Sequence, residues 1–138
     1  MIILDTNIVS EPLKLEPAFK VLDWLDRQAP QTLYLTAITV AELLAGIEVL
    51  PDGRRRLELE QVIKQKVIPL FEGRILPFDT PAAEAFGQVQ VGARVAGNTI
   101  GFADAAIGAI ARAHGFALAT RNTKDFKGAG IELINPWS

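Results

Sequence analysis

The sequence predicts a three-layer α/β fold, with a mostly parallel sheet between two layers of helices. The prediction rests on one observation and one rule of chain topology. Short apolar runs alternate along the chain with longer amphipathic segments. Strands separated by helices at this spacing need right-handed crossovers, which produce parallel sheets covered on both faces. The length of 138 residues corresponds to a single domain, residues 1–138.

Apolar periodicity and turn signals locate the elements. Strands are predicted at residues 2–4, 33–36, 74–78, 116–120 and 131–134. Helices are predicted at residues 16–30, 39–50, 54–69, 79–95 and 102–114. The first strand is apolar on both faces and stops at Asp5. Pro17 suits a first helical turn, and Gly115 suits a helix end. Thr39 and Glu42 have the spacing of a capping box, which predicts the start of the second helix.

Composition excludes several classes of protein. The chain has no cysteine, which excludes disulfide scaffolds and Cys-ligated zinc. Its 14 basic and 16 acidic side chains give a formal net charge of -2, which argues against a nucleic-acid binder with a basic surface throughout. The N-terminus lacks the features of a signal peptide, and charges at Asp104 and Arg112 interrupt the most apolar window. We therefore expect a cytoplasmic protein without a membrane span.

Acidic side chains are predicted to meet at the carboxyl ends of the strands, where such sheets bind ligands. These residues, with one amide, are Asp5, Glu42, Asp104, Asn122 and Asp125. Carboxylates at ~5 Å repel by about 3 kcal/mol per pair at an effective dielectric of 20, so a cation is expected among them. Oxygen ligands without Cys select Mg²⁺ or Mn²⁺ over zinc. Such a site suits phosphoryl chemistry.

Each acid also has a purely structural interpretation. Glu42 fits the capping box, Asp125 fits a turn, and Asp104 fits the first turn of a helix, where the dipole favours an acid. Asp5 has the weakest structural alternative, because an acid after an all-apolar strand must be satisfied locally or take part in chemistry. The pattern as a whole is more specific than any of its members.

Motifs along the whole chain carry a family resemblance. They are Leu4-Asp5-Thr6-Asn7 with Ser10-Glu11-Pro12, Thr39-Val40-Ala41-Glu42-Leu43, Leu76-Pro77-Phe78-Asp79, Ala103-Asp104, Ala119-Thr120-Arg121-Asn122 with Asp125-Phe126, and Asn135-Pro136-Trp137. With these motifs the chain resembles PIN-domain ribonucleases, most closely the toxin subunits of VapBC-type toxin–antitoxin pairs, including the FitB-like branch. The resemblance implies strand order 3-2-1-4-5 and an endoribonuclease that uses Mg²⁺, with Mn²⁺ as a possible substitute.

The resemblance also implies roles for the acids. Asp5 and Asp104 are the expected metal ligands, and Glu42 completes the acidic site. The fourth position departs from the pattern, because members of the closest branch can carry Asp where this chain has Asn122. Asp125 is therefore the expected fourth catalytic acid, with Asn122 as a neutral oxygen ligand.

Neighbouring polar residues are expected to support the site. Thr6 and Thr120 either orient carboxylates and an attacking water, or fill hydrogen-bonding positions at strand ends. Arg121 and Lys124 suit phosphate contacts, which supply most sequence-independent affinity for nucleic acids. Arg74 is expected to extend this basic rim.

Several residues that stand out in the sequence have structural interpretations, some of them with a functional alternative. The arginines at 54–56 form either a solvated helix face or a contact for an acidic partner. His114, the single histidine, is interpreted as structural, which excludes a mechanism based on two histidines. Trp24 and Trp137 are expected to pack, with stacking on an unpaired base as the lesser alternative.

The resemblance implies partners as well: an RNA substrate, a homodimer, a cognate VapB-like antitoxin that covers the acidic groove, and operator DNA bound only through the antitoxin. Receiver domains need paired acids after the first strand, and aspartyl phosphatases need Asp-x-Asp, whereas this chain has Asp5-Thr6-Asn7. A non-catalytic metal- or RNA-binding module on the same fold is the alternative function.

Overall fold

A five-stranded sheet forms the middle layer of the computed structural model, which describes residues 1–138. Its strands are β1 (Ile2–Leu4), β2 (Leu33–Thr36), β3 (Ile75–Leu76), β4 (Ala117–Ala119) and β5 (Leu133–Ile134). Their order is β3-β2-β1-β4-β5, and every neighbouring pair is parallel. The predicted class and strand order are confirmed, with β3, β4 and β5 shorter than predicted.

Helices cover both faces of this sheet. They are α1 (Thr6–Ser10), α2 (Phe19–Asp26), α3 (Ala37–Glu48), α4 (Arg54–Val62), α5 (Ile68–Leu70), α6 (Thr80–Val95) and α7 (Phe102–His114). Short 3₁₀ turns occupy Glu11–Leu13, Pro30–Thr32 and Thr123–Phe126. None of the helices is both long enough and apolar enough to cross a bilayer.

The predicted helix at 54–69 is present but contains a wider turn. The segment Ile63–Val67 is π-helical, and the N–H of Ile68 donates to the carbonyl of Ile63 five residues earlier. Pro69 explains this turn, because proline has no N–H to donate and its ring clashes with the carbonyl four residues before it.

Three helix starts differ from the predictions. The helix predicted at 16–30 runs only from Phe19 to Asp26, so Pro17 precedes it and does not lie in its first turn. The short helix α1 directly after β1 was not predicted, and it begins because the Asp5 side chain accepts the N–H of Thr6. The helix α3 begins at Ala37, because Thr36 is its N-cap and accepts the N–H of Thr39 at 3.1 Å. Thr39 is therefore not a cap, and the capping-box interpretation of Glu42 is wrong.

The two faces of the sheet bury separate apolar clusters, as the three-layer prediction requires. On one face Ile3 and Leu118 pack with α6, α7 and Phe126. On the other face Leu4 and Leu35 pack with residues of α1, α2 and α3. Residues 105–111 of α7 are all buried, and most of their side chains are no larger than Ala. Small side chains let α7 approach the sheet closely, which fixes the position of its N-terminus.

Most of the arginines highlighted by the sequence serve the fold. Arg55 donates to the carbonyl of Leu13 at 2.7 Å, and Arg56 donates to the carbonyl of Leu50 at 2.9 Å. These contacts attach α4 to the rest of the helical layer. His114 lies against the Phe116 ring, with centroids 5.2 Å apart, which agrees with a structural role.

The expectation that Arg74 extends the basic rim is wrong. Arg74 precedes β3, so it lies at the amino ends of the strands. Its guanidinium donates to the carbonyls of Pro30, Leu33 and Leu70 and lies 5.0 Å from the centroid of the Phe71 ring. These contacts join the segment of residues 70–74 to the segment that leads into β2.

We predict that Gly92→Ala destabilises the protein by about 2 kcal/mol, measured by urea unfolding. A Cβ at Gly92 would overlap the carbonyl oxygen of Gly128, whose φ of +81° leaves it little freedom to move. Gly87→Ala is the matched control, since it lies in the same helix with nothing within 4 Å of its added Cβ. It should stabilise the helix by about 0.5–1 kcal/mol. Equal effects of the two substitutions would contradict the prediction.

Candidate active site

The candidate site lies where the direction of strand addition reverses. From β1 the chain proceeds to β2 and β3 on one side, and it then returns to place β4 on the other side of β1. Open α/β sheets bind ligands beyond the carboxyl ends of their strands at such a reversal. Asp5 follows β1 at this point, and Thr120 follows β4 beside it.

The Asp5 carboxylate is buried and held from two elements. It is 3% exposed. Its Oδ1 accepts the N–H of Thr6 at 2.8 Å, and its Oδ2 accepts the hydroxyl of Thr120 at 2.7 Å. Burial raises the pKa of Asp5, while the hydrogen bonds from Thr120 and Thr6 oppose that rise. The side chain is thus fixed in orientation and kept from solvent.

Glu42 is connected to this centre by a chain of hydroxyls. The hydroxyl of Thr6 donates to Glu42 Oε1 at 2.6 Å and lies 3.0 Å from the hydroxyl of buried Thr39. An ionised carboxylate can only accept, so Thr6 must donate to Glu42. Thr39 then donates to Thr6. The exposed Glu42 carboxylate is therefore anchored next to Asp5 although it lies on a different helix.

Asp104 brings the four acids into one electrostatic environment. The pKa of Asp104 is raised to about 6, first by burial and then by the charges of Asp5, Glu42 and Asp125. The carboxylates of Asp104 and Asp125 accept no hydrogen bond within the chain. None of the four acids forms a salt bridge. Their charge is not balanced by any ion pair.

No three acidic or histidine side chains form a group that could hold a metal ion by themselves. The oxygen atoms of the four acids and the absence of cysteine nevertheless match the ligands that Mg²⁺ prefers. Mg²⁺ often takes one or two carboxylates and completes its shell with water or phosphate oxygens. Asp5 and Asp104 as a pair are compatible with that mode of binding.

The predicted residues in the segment after β4 differ in the contacts that their side chains form. Thr120 donates to Asp5 and accepts the N–H of Asn122 at 3.0 Å, so it both orients the carboxylate and completes the hydrogen bonding of the turn. The Asn122 side chain is exposed and forms no hydrogen bond. Asp125 lies in the 3₁₀ turn that follows, and its charge reaches Asp104.

Two further residues at the site were not among the predicted ones. Asn7 donates to Asp5 Oδ2 at 3.4 Å and accepts the N–H of Arg121 at 3.3 Å, so it joins the ends of β1 and β4. Glu11 is buried, accepts the N–H of Ala18 at 2.8 Å, and lies 2.9 Å from Lys14 Nζ. The hydrogen bond with Lys14 lowers the pKa of Glu11, and the charge of Arg121 contributes. Their only signal in the sequence was membership of the first motif.

Basic side chains and apolar pockets border the acids. Arg121 and Lys124 are exposed and form no salt bridge. A pocket of about 270 Å³ begins at Thr6 and Glu42 and has a largely apolar wall. A second pocket, of about 290 Å³, shares Leu13 with the first. The acidic centre therefore continues into an apolar surface.

Comparison with known proteins identifies the family. The PIN domain profile matches residues 2–131. The chain is 47% identical to VapC ribonuclease Y4jK of Sinorhizobium fredii, covering 99% of this chain and 98% of that protein, and 44% identical to toxin FitB of Neisseria gonorrhoeae, covering 99% of each. It superposes on the structure of FitAB bound to an IR36 DNA fragment with a TM-score of 0.95 and 43% identity, covering 100% of this chain and 96% of that one. The chain belongs to the PIN domain family, together with the VapC and FitB proteins.

Proposed function

We propose that this protein is an endoribonuclease toxin that requires Mg²⁺, for which Mn²⁺ can substitute, and that a cognate antitoxin inhibits it. The observation that carries the proposal is that the charges of Asp5, Glu42 and Asp125 all act on the Asp104 carboxyl at the carboxyl edge of the sheet, while none of the four acids has a paired base. Such an arrangement is unfavourable unless a cation occupies it, because like charges in a partly buried site repel strongly. The 47% identity to a VapC ribonuclease supports nuclease activity.

A Mg²⁺ ion held there would supply the activation of water and the charge neutralisation that hydrolysis of a phosphodiester needs. Asp5 and Asp104 are the proposed ligands. Thr120 and the N–H of Thr6 hold the Asp5 carboxylate in one orientation. Outer partners of this kind commonly control both the affinity and the activity of a metal site.

The remaining polar residues have separate roles in this proposal. Glu42 accepts the Thr6 hydroxyl at 2.6 Å and can orient or accept a proton from an attacking water. Asp125 is the fourth acid, and Asn122 offers a neutral oxygen. Arg121 and Lys124 contact phosphates of the RNA.

The toxin assignment includes partners. The related FitAB was solved on a DNA fragment, and we propose that this chain likewise forms a homodimer and binds a VapB-like antitoxin. Operator DNA would then be contacted only through the antitoxin. The largely apolar pocket that begins at Thr6 and Glu42 supports binding of a protein segment next to the acids.

We expect wild-type protein to cleave single-stranded RNA only with Mg²⁺ or Mn²⁺ present. Asp5→Asn and Asp104→Asn should each reduce cleavage by at least about 100-fold with the fold intact, because each removes a proposed ligand. Cleavage of labelled RNA and circular dichroism measure the two effects. Asp23→Asn, at an exposed salt bridge with Arg27, is the control and should cleave normally.

Cleavage in EDTA, or full activity of Asp5→Asn, would contradict the metal assignment. If the wild-type protein instead binds metal or RNA and cleaves no RNA, it is the non-catalytic module. The neutral Asn122 in the fourth position is the observation that favours this second function.

We predict that Asp104→Asn stabilises the metal-free protein at pH 7 by about 1 kcal/mol, after allowance for solvent screening. The pKa of Asp104 is about 6 in the folded protein and 3.8 without its surroundings. A raised carboxyl pKa means that ionisation disfavours the folded state, so the penalty is absent below pH ~4 and complete above pH ~6. Thermal melts of both proteins at pH 4 and pH 7 measure it. Added Mg²⁺ should stabilise only the wild type at pH 7. Equal melting temperatures of the two metal-free proteins at pH 7 would refute the prediction.

Thr120→Val should reduce cleavage about 10- to 100-fold, because Asp5 loses a donor and the N–H of Asn122 loses its acceptor. Thr120→Ser keeps the hydroxyl and should retain most of the activity. Rates of RNA cleavage at saturating Mg²⁺ distinguish the variants. If Thr120→Val and Thr120→Ser cleave RNA at the same rate, the Thr120 hydroxyl is not needed for cleavage.

A further inference from the structure

The guanidinium of Arg121 differs in its contacts from those of the other arginines in this chain. Most of the arginines donate to a carboxylate or carbonyl; these are Arg27, Arg54, Arg55, Arg56, Arg74 and Arg112. Arg94 and Arg121 form no side-chain hydrogen bond or salt bridge. Arg121 alone of these two lies over an aromatic ring, with its guanidinium carbon 5.0 Å from the centroid of Trp137. Its donors are therefore free while its position is restricted.

The backbone around Arg121 is fixed on both sides. The N–H of Arg121 donates to Asn7, and the N–H of Asn122 donates to the Thr120 hydroxyl. Farther along, the carbonyl of Lys124 accepts the side-chain amide of Asn98 at 2.6 Å. The turn that carries Arg121 is thus held to the end of β1 and to the loop before α7. These backbone contacts leave open only the conformation of the Arg121 side chain.

Trp137 is suited to set that conformation. Its backbone N–H donates to Asn135 Oδ1 at 2.9 Å, and its ring packs against the apolar cluster that contains Leu4. A guanidinium stacked on an aromatic face keeps its in-plane donors available for the two oxygens of a phosphate. The stacking also reduces the side-chain entropy that binding would otherwise cost.

We infer that Trp137 is a positioning residue that holds Arg121 ready to bind a phosphate of single-stranded RNA at the edge of the acidic site. This inference rests on the proposed function, since it deepens the account of how that site binds its substrate. Trp137 would act through Arg121 and not by contacting RNA itself. The packing role expected for Trp137 is then only part of what the residue does.

Binding of a fluorescent single-stranded RNA, followed by anisotropy in EDTA over a range of salt concentrations, tests the inference without cleavage. Trp137→Leu should weaken binding about twofold to fivefold, the usual size of an exposed cation–π interaction. The slope of log affinity against log salt should become shallower by up to about 0.7, as for the loss of one phosphate contact. Trp137→Phe keeps a ring and should bind nearly as wild type does.

Arg94→Ala is the matched charge control, because it removes an unpaired arginine that has no aromatic partner. It should leave affinity and salt slope close to the wild-type values. Arg121→Ala should weaken binding at least as much as Trp137→Leu. Urea unfolding of each variant shows whether any loss of binding reflects loss of folded protein.

The double variant Arg121→Ala/Trp137→Leu separates positioning from direct contact. If Trp137 acts through Arg121, the double variant binds as Arg121→Ala does. Additive losses would overturn the inference, since they would show that Trp137 stacks on a base. Unchanged binding and salt slope in folded Trp137→Leu would also overturn it.

The inference and the proposed function can fail separately. Wild-type protein that binds RNA but never cleaves it with Mg²⁺ refutes the nuclease, while non-additive losses at Arg121 and Trp137 still support the positioning role. Wild-type protein that cleaves RNA, with Trp137→Leu indistinguishable in binding, refutes the positioning role alone. Absence of RNA binding by the wild type in EDTA refutes the positioning role, and the nuclease is refuted as well only if cleavage with Mg²⁺ is also absent.

Discussion

The hydrogen bond from the Thr120 hydroxyl to the Asp5 carboxylate joins the two strands on which the site depends. Asp5 and Thr120 are distant in sequence but adjacent in the sheet, because β4 returns to the edge of β1. The same carboxylate starts α1 by accepting the N–H of Thr6, and α1 presents that threonine to Glu42. A buried acid is costly unless it is hydrogen-bonded. Here the bonds that satisfy Asp5 are also those that arrange its neighbours.

Much of the fold and site could be predicted because their signals are local. An apolar strand that stops at Asp5 and helices at regular intervals are visible in the sequence. Thr36 and Thr39 show what is not visible, since both suit a cap and only the extended backbone at Thr36 decides between them. Arg74 could not be placed because two of its three carbonyl partners, Pro30 and Leu33, are distant in sequence. The burial of Glu11 likewise depends on tertiary packing.

The charge of the chain acquires a different meaning once the structure is known. Without Asp5, Glu42, Asp104 and Asp125, the formal net charge changes from -2 to +2. Eight of the fourteen bases, however, donate to carbonyls or acids of the same chain. Of the bases that remain for a polyanion, Arg121 and Lys124 lie in the segment after β4, beside the acids. The acidic composition excludes a generally basic surface and leaves room for a local one.

The dense packing of α7 ties the reactive edge to the interior. Asp104 lies in the first turn of a helix in which residues 105–111 are all buried, and a Cβ at Gly108 would lie 3.2 Å from the Phe126 ring. An added methyl group there requires the ring to move by a few tenths of an ångström, and larger side chains disturb the packing of the helix. Selection for loss of toxicity would therefore recover enlarged side chains deep in α7 as well as changes to the acids themselves. Substitutions that inactivate this protein should therefore occur at many more positions than those of the four acids.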